Sequence, residues 1–329
     1  MASNIGIFTE SIGFMKRSSY LVAGGAGFVG SHLCGALLKK GHRVVCMDSF
    51  LTSTPNNIEH LRKSKNFRLI EHNIVDTVRV NEPLNYILNF ASPASPVDYA
   101  RHGIHTMKVG SIGTLNLLGL ARAKKAKFLL ASTSEVYGDP EVHPQREDYW
   151  GHVNSVGPRA VYDEAKRFAE ALTVVYAKTH GVNTKIIRIF NTYGPRMRTE
   201  DGRAIPAFIS QALLGEDVTI FGDGSQTRSF CYVDDLVNGI LKLSETNFHE
   251  PVNLGNPNEM TLKQLAKYII KLTKSKSKIV YRPLPKDDPR KRKPDISRAK
   301  KILGWEPKVP LEQGLTRTID WFRSVVTPK

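Results

Sequence analysis

A glycine-rich turn between an apolar run and a helical pattern is the feature that most restricts the folds open to this chain. The turn covers residues 24–30 and reads Gly-Gly-Ala-Gly-Phe-Val-Gly; it follows the apolar run 20–23 and precedes the helical pattern 31–40. In a strand, turn and helix in this order, backbone N–H groups at the helix N-terminus can bind the pyrophosphate of a dinucleotide. A glycine pattern alone is also compatible with a purely structural turn, so its context must decide.

Short apolar runs alternate with helical patterns from residue 19 to residue 190. The predicted strands cover residues 20–23, 43–47, 67–71, 86–90, 127–132 and 184–189, and the predicted helices cover residues 31–40, 103–126 and 160–180. This alternation predicts an α/β fold with a doubly wound parallel sheet, of the Rossmann type, covered by helices on both faces.

After residue 190 the pattern changes to short segments separated by turns with Pro and Gly. Helices are predicted at residues 205–214, 233–244, 262–273 and 297–303. We therefore expect three parts: an N-terminal extension (1–18), a dinucleotide-binding Rossmann domain (19–190), and a smaller C-terminal substrate domain (191–329). We also expect some segments of the last part to return to the Rossmann domain.

The net charge of +16 requires a nucleic-acid partner to be considered. The basic residues are spread through the chain, however, and aspartates flank the densest basic run, residues 290–293. With no zinc-finger or RNA-binding signature, we expect no nucleic-acid partner and a basic surface that attracts an anionic small substrate.

The cysteines and the apolar runs indicate the compartment. Cys34, Cys46 and Cys231 have neither metal-binding nor disulfide spacing, which is typical of reduced thiols, so no metal site and a cytoplasmic location are expected. No apolar run approaches the about 20 residues that span a bilayer, so no membrane segment is expected in this chain.

Asp48 ends the second predicted strand, about 20 residues after the glycine turn. A carboxylate at this position can accept hydrogen bonds from the adenosine ribose hydroxyls, and its charge repels a 2′-phosphate. The sequence therefore favours NAD over NADP as cofactor. The alternative is that Asp48 only caps a strand end.

Tyr162 and Lys166 are four residues apart and so share one face of a predicted helix. A lysine ammonium and the positive charge of an oxidised nicotinamide both favour the phenolate, so we expect the pKa of Tyr162 to fall from about 10 toward neutral pH. The spacing also occurs by chance; combined with the glycine turn, it indicates at least transient oxidation of a substrate hydroxyl.

Ser134 and Glu135 follow a predicted strand at its carboxyl end, where doubly wound sheets bind their ligands. Ser134 can hydrogen-bond the reacting hydroxyl. The carboxylate of Glu135 indicates proton handling beyond hydride transfer, or else a loop carboxylate paired with a nearby cation.

Longer segments make the chain similar to a known superfamily. They are residues 24–30, 91–96, 132–140, 143–145, 149–151, 162–166, 191–196, 226–230, 290–296 and 303–307. On these segments the chain resembles the extended short-chain dehydrogenase/reductase superfamily of sugar-nucleotide enzymes, and within it the family of UDP-glucuronate decarboxylases (UDP-xylose synthases).

This resemblance implies a chemistry in which NAD is recycled. Tyr162 would take the proton of the sugar 4-hydroxyl while hydride passes to NAD⁺, the 4-keto acid would lose CO₂, and hydride would return to give UDP-xylose from UDP-glucuronate. A dTDP-glucose 4,6-dehydratase would have an Asp-Glu pair where this chain has Ser134 and Glu135, and a UDP-sugar 4-epimerase would lack a glutamate at 135. A non-catalytic NAD-binding regulatory protein would not need these side chains.

The resemblance also implies the site residues. The implied catalytic residues are Tyr162, Lys166, Glu135, Ser134 and Arg292, the last either acting at the sugar or binding only the diphosphate. The implied cofactor-binding residues are Gly24, Gly27, Phe28, Val29, Gly30, Asp48, Ser49, Phe50, Thr52, Asn73, Ile74, Phe90, Ser92, Tyr162, Lys166 and Thr192. The implied substrate-binding residues are Lys108, Asn191, Arg203, Phe221, Arg228, Tyr232 and Arg292, and no metal is implied.

Two further implications concern assembly and departures from the family. Helices 103–126 and 160–180 resemble those that pair as a four-helix bundle across a homodimer. Where the family has Lys-Thr-Asn, this chain has Lys108-Val109-Gly110, and Asn73 replaces an acidic residue that faces the adenine.

Overall fold

A computed structural model of the chain describes residues 17–284 and 291–326. The predicted extension, residues 1–18, lies almost wholly outside the described residues. The strands are β1 Ser19–Ala23, β2 Arg43–Asp48, β3 Phe67–Glu71, β4 Tyr86–Asn89, β5 Lys127–Thr133, β6 Thr184–Ile189, β7 Thr192–Tyr193, β8 Val218–Phe221, β9 Thr227–Ser229, β10 Cys231–Tyr232, β11 Pro251–Leu254, β12 Glu259–Thr261, β13 Ile279–Arg282 and β14 Lys291–Arg292. The helices are α1 Phe28–Lys39, α2 Pro96–Arg101, α3 Gly103–Lys108, α4 Thr114–Lys124, α5 Ala160–His180, α6 Ala204–Leu214, α7 Val233–Glu245, α8 Leu262–Thr273, α9 Ser297–Leu303 and α10 Leu311–Val325.

Seven parallel strands form the central sheet, in the order β11-β6-β5-β4-β1-β2-β3. Strands β1, β4 and β5 are continuously apolar because helices cover both faces of the sheet. This confirms the predicted doubly wound α/β fold, and all six predicted strands are present to within a residue.

Hydrophobic side chains pack into two layers, one on each face of the sheet. One layer joins α1 to α7 through Leu33, Leu37 and Ile240. The other joins α4 to α5 through Leu117 and Ala169. The layers hold α1 and α5 in place, and these two helices carry the glycine turn and the Tyr-Lys pair.

The C-terminal part contributes both to the sheet and to small sheets of its own. Strand β11 pairs with β6 and extends the central sheet. Strand β9 lies between β12 and β14, in a register that places Arg228 opposite Arg292. This small sheet brings a late segment of the chain to the carboxyl ends of the central strands.

The predicted helix 103–126 is not one regular helix. It consists of α3 and α4 joined by a π-helical turn, Val109–Gly113. Gly110 makes a close approach to α5 possible here, because a Cβ atom on it would lie 2.8 Å from the Cβ of Ala165. Single π-helical turns inside α-helices are frequent at functional sites.

Candidate active site

The glycine turn is closed so tightly that side chains would not fit. Gly24 has a φ of +73°, and a Cβ atom on it would lie 2.6 Å from the carbonyl carbon of Phe90. A Cβ on Gly30 would lie 2.1 Å from the oxygen of Gly24. The turn therefore leaves bare backbone at the N-terminus of α1, as the binding of a pyrophosphate requires.

Two adjoining cavities lie above the carboxyl ends of the sheet strands. The larger has a volume of about 480 Å³ and extends from the glycine turn to Arg228. The smaller has a volume of about 70 Å³ and lies beyond the end of β2, beside Asp48. Gly24, Gly27 and Phe90 line both cavities, so together they form one elongated site.

Asp48 is oriented by the chain around it. Its Oδ2 accepts a hydrogen bond from the N–H of Ala26 at 2.9 Å, and its Oδ1 accepts from the N–H of Phe50 at 3.0 Å and the hydroxyl of Ser53 at 2.8 Å. Each carboxylate oxygen has two acceptor sites, so capacity for a ribose hydroxyl remains. The bare glycine turn and this carboxylate, on adjoining cavities, fit the pyrophosphate and the adenosine ribose of an adenine dinucleotide.

The structure places almost all the predicted cofactor residues around these cavities. The residues that line the larger cavity are Gly24, Gly27, Phe28, Val29, Gly30, Thr52, Phe90, Ser92, Tyr162, Lys166 and Thr192. The smaller cavity adds Asp48, Ser49, Asn73 and Ile74, together with Val109, where the family has a polar residue. Phe50 lines neither cavity, because it contributes its backbone N–H to Asp48.

Tyr162 and Lys166 both face the larger cavity, as predicted. The Nζ of Lys166 donates to the carbonyl of Ala131 at 2.9 Å and lies 5.8 Å from the centre of the Tyr162 ring. Tyr99 stacks on that ring at 5.3 Å, with the planes 14° apart. The four-residue spacing on α5 therefore brings Lys166 next to Tyr162, as expected.

The groups of the chain itself shift the Tyr162 pKa upward, whereas the expected lowering also counted the positive charge of an oxidised nicotinamide. Burial raises this pKa above its usual value, Thr133 opposes the rise by a hydrogen bond, and the charge of Glu135 adds to it. Burial also lowers the pKa of Lys166 to about 8. The sequence argument considered the nearby positive charge and omitted the cost of burying a phenolate.

Glu135 is held between two arginines. Its Oε2 accepts from Arg159 at 2.5 Å and its Oε1 from Arg292 at 2.5 Å. Burial raises the pKa of Glu135, but Arg292 and Arg159 lower it more strongly, to about 2. At neutral pH Glu135 is therefore ionised and can only accept hydrogen bonds.

Arg292 is fully buried and binds the same loop at two further points. Its Nη1 also donates to the Oγ of Ser134 at 3.1 Å, and its Nη2 donates to the carbonyl of Gly138 at 3.0 Å. Because Nη1 and Nη2 both bind the loop 134–138, these contacts favour a positioning function for Arg292 over a function as a diphosphate ligand.

Two residues of this cluster were missed by the sequence reasoning. Arg159 pairs with Glu135 from the residue that precedes α5. Asp163 is 5% exposed, and its Oδ1 has no hydrogen-bond partner among the described residues. The available signal was spacing: Arg159, Asp163 and Lys166 recur at helical intervals around Tyr162.

Most of the predicted substrate residues line the larger cavity; they are Asn191, Arg203, Phe221, Arg228 and Arg292. Arg203 is oriented by a two-point ion pair with Asp201. Lys108 and Tyr232 line neither cavity. Lys108 is exposed at the end of α3, and Tyr232 is buried against Tyr193 and beneath the guanidinium of Arg317.

Among the described residues, no His, Cys, Asp or Glu side chains form a group that could hold a metal ion. Over the same residues, no helix has the length and apolar character to cross a membrane.

Comparisons with known proteins agree with this architecture. Residues 21–318 match the family model described as GDP-mannose 4,6 dehydratase. UDP-glucuronic acid decarboxylase 1 of Danio rerio is 53% identical over 306 residues, which are 93% of this chain and 73% of the relative. UDP-glucuronic acid decarboxylase 6 of Arabidopsis thaliana is 47% identical over 311 residues, 94% of this chain and 90% of the relative.

Solved structures share the fold over nearly the whole chain. UDP-glucuronic acid 4-epimerase from Bacillus cereus, in complex with UDP-glucuronic acid and NAD, has a TM-score of 0.85 and 30% identity, and the match covers 93% of this chain and 99% of that one. dTDP-glucose 4,6-dehydratase from Bacillus anthracis, in complex with NAD, has a TM-score of 0.83 and 26% identity, with 94% and 97% coverage.

The family model and the relatives together show that this chain belongs to the GDP-mannose 4,6-dehydratase family, within the extended short-chain dehydrogenase/reductase superfamily, and groups there with the UDP-glucuronic acid decarboxylases. The resemblance inferred from the sequence segments is thereby confirmed.

Proposed function

We propose that this chain is an NAD-dependent UDP-glucuronate decarboxylase, which converts UDP-glucuronate to UDP-xylose and CO₂ through a 4-keto sugar. The observation that carries the proposal is the ionised Glu135, held between Arg159 and Arg292 beside Ser134, in the same cavity as Tyr162. Relatives that are 47–53% identical and named UDP-glucuronic acid decarboxylase support it.

The chain has the groups to hold NAD. Bare backbone at the glycine turn would bind the pyrophosphate, and Asp48 would accept from the adenosine ribose. When bound, the cofactor would supply the hydride chemistry: NAD⁺ would take hydride from C4 of the sugar, and the NADH so formed would return it to the same carbon, so the cofactor would undergo no net oxidation or reduction.

Tyr162 removes the proton from the sugar 4-hydroxyl. The phenol is neutral in the protein without ligands, and a positive charge brought into the cavity would favour its ionised form. Lys166, one helical turn away, supplies positive charge from the chain itself. Ser134 can hydrogen-bond the same sugar hydroxyl.

Decarboxylation then needs a site that accepts a carboxylate. In the 4-keto sugar the C5–carboxylate bond breaks, its electron pair passes into the enolate, and CO₂ leaves. C5 takes up one proton, so one proton is consumed per turnover. Arg159, Arg292 and Glu135 together carry one excess positive charge, which favours a substrate carboxylate nearby.

The structure disfavours the alternative reactions. A 4,6-dehydratase needs a general acid to protonate the leaving hydroxyl. Glu135, with a pKa of about 2, does not supply that proton at neutral pH. A 4-epimerase needs no carboxylate at this position, whereas this chain orients one with two arginines.

The test is mass spectrometry of the sugar nucleotide after the full chain is incubated with UDP-glucuronate and NAD⁺. We expect a UDP-pentose, release of CO₂ and no net NADH. Unchanged UDP-glucuronate, with turnover of UDP-glucose or dTDP-glucose instead, would contradict the proposal.

Variants of two tyrosines on α5 test whether Tyr162 is the general base. Tyr162→Phe should reduce turnover by more than about 10²-fold while NAD still binds, because only the proton acceptor is lost. Tyr176→Phe, on the same helix but outside both cavities, is the matched control and should stay active. A fully active Tyr162→Phe variant would contradict the assignment of Tyr162 as the general base.

We also propose that residues 191–329 act mainly as a substrate domain that binds the UDP moiety. Arg203 and Arg228 line the larger cavity, and a guanidinium can bond two oxygens of a diphosphate at once. Phe221, 49% exposed at the rim, can lie along the uracil.

For assembly, we propose a homodimer formed by a four-helix bundle of α3–α4 and α5 from each copy. These helices pack together and expose large apolar side chains. The exposed side chains are Ile104, Met107, Ile112, Leu115, Phe168, Val174 and Val175. An apolar stripe of this kind on neighbouring helices is the usual feature of a buried interface.

For the compartment, we propose the cytoplasm. Cys34, Cys46 and Cys231 are all free thiols and all buried, as is usual for proteins kept in a reducing environment.

A further inference from the structure

Arg196 is a cavity residue that the mechanism above does not use. It lines the larger cavity, and its Nη1 is buried without a hydrogen bond to any residue in the described part of the chain. A buried guanidinium nitrogen left without an acceptor is costly, because folding removes its water. We therefore expect a bound ligand to supply the hydrogen-bond acceptor for Nη1 of Arg196.

The backbone holds Arg196 in an unusual conformation. Its φ is +69°, a left-handed value that residues with a Cβ adopt rarely. Strain of this kind persists where the surrounding structure requires a side chain at that place, and such places cluster at ligand sites.

The segment that carries Arg196 packs against the start of α1. The carbonyl oxygen of Pro195 lies 2.9 Å from the Nε2 of His32, and a Cβ on Gly194 would lie 3.4 Å from the ring of Phe28. Burial, and then the positive charge of Arg196, lower the pKa of His32 to about 4. The guanidinium therefore lies beside the first turns of α1.

The local charges are not balanced. The N-terminus of α1 carries a partial positive charge, and Arg196 adds a full one. Asp234 is the acidic group acting most strongly on Arg196, but it is also 3.8 Å from Arg317 and its side chain is 58% exposed. An anion between Arg196 and the helix end would satisfy both positive groups.

We propose that Arg196 binds the cofactor pyrophosphate, opposite the backbone N–H groups of the glycine turn. The proposal rests on the proposed use of NAD. A guanidinium fork matches two oxygens of a diphosphate, and the UDP moiety offers the same chemistry. Gly194 and Pro195, which precede Arg196 in the chain, contact Phe28 and His32 and so place Arg196 at the cofactor end. The cofactor is therefore the assigned partner.

The experiment uses Arg196→Gly, because glycine adopts a φ of +69° without strain and the variant is therefore expected to fold. Binding of NAD, adenosine and UDP to the full chain would be measured by isothermal titration calorimetry. The matched control is Arg317→Gln, which removes the other arginine beside Asp234 and lines neither cavity.

We expect Arg196→Gly to weaken NAD binding about tenfold or more, the usual effect of losing a charge-assisted hydrogen bond. Adenosine, which has no pyrophosphate, and UDP should bind as to the wild type, and Arg317→Gln should bind all three normally. Unchanged NAD binding by Arg196→Gly, equal weakening of adenosine binding, or a loss confined to UDP would each overturn the assignment. A wild-type chain that failed to bind NAD would overturn the proposed function as well.

Discussion

At the residue scale, Asp163 is a buried carboxyl group with one oxygen, Oδ1, that has no hydrogen-bond partner among the described residues. Burial, and then the negative charge of Glu135, raise its pKa from 3.8 to about 7, while Arg159 and Arg292 act in the opposite direction. In the unfolded chain the group ionises near 3.8. The folded protein thus holds a proton that the unfolded chain has lost between these two pH values, and stability from this group falls as pH rises from about 4 to 7.

Asp163→Asn should therefore be more stable than the wild type above pH 7. The advantage should grow from about pH 4, reach its limit near pH 7, and be on the order of a few kcal/mol, since each pKa unit corresponds to about 1.4 kcal/mol. Urea unfolding at pH 4.5 and pH 8 measures it. Glu141→Gln, at an exposed position away from α5, is the control and should change the stability equally at both pH values. A constant difference for Asp163→Asn would contradict the explanation.

At this scale the sequence could identify groups but not their partners. Glu135 and Arg292 were both predicted to act at the sugar, yet they are 157 positions apart and their contact depends on the fold. The upward effect of burial on the Tyr162 pKa was missed for a similar reason, because burial is a property of the folded chain and not of a spacing.

Among the elements, the π-helical turn between α3 and α4 depends on a small residue. Gly110→Ala should destabilise the protein by about 1–3 kcal/mol, because the new Cβ would lie 2.8 Å from the Cβ and the carbonyl oxygen of Ala165. The variant should also bind NAD more weakly, because α5 carries Tyr162 and Lys166. Thermal or urea unfolding and NAD titration measure both effects.

Gly119→Ala in α4 is the matched control. Its new Cβ would have only an ordinary contact, 3.8 Å from the hydroxyl of Tyr176. Alanine in a helix interior should stabilise the protein by about 0.5–1 kcal/mol. If the two alanine variants had the same effect, close packing at Gly110 would not be the cause.

Periodicity predicted the regular elements well and the irregular ones poorly. The first six strands each contain a short apolar run, such as Leu21–Ala23 in β1 and Phe128–Leu130 in β5, and so were recognisable. Strand β11 was missed because its four residues include Asn253, whose amide is fully buried and donates to the carbonyls of Gln145 and Asp295. Helix α10 was also missed, although Leu315, Ile319 and Phe322 form a buried stripe with helical spacing.

For the whole molecule, the testable property is the proposed dimer. Phe168→Glu should convert a dimer to a monomer at micromolar concentration, because it places a charge in the apolar stripe of α5, where Phe168 is 52% exposed. Sedimentation velocity measures the change. Val97→Glu, 51% exposed but on α2, is the control and should leave the dimer intact. A wild-type chain that sediments only as a monomer would contradict the proposal.

The ion pairs around Glu135 also have a consequence for the order of events during synthesis. A ribosome has produced every strand of the central sheet once residue 254 is made, and Glu135 and Arg159 are already present. The second arginine follows 38 positions later, at residue 292. A chain that ends between these two points contains every strand of the central sheet but only one of the two arginines that hold Glu135, so the reaction centre is complete only when the last part of the chain is present.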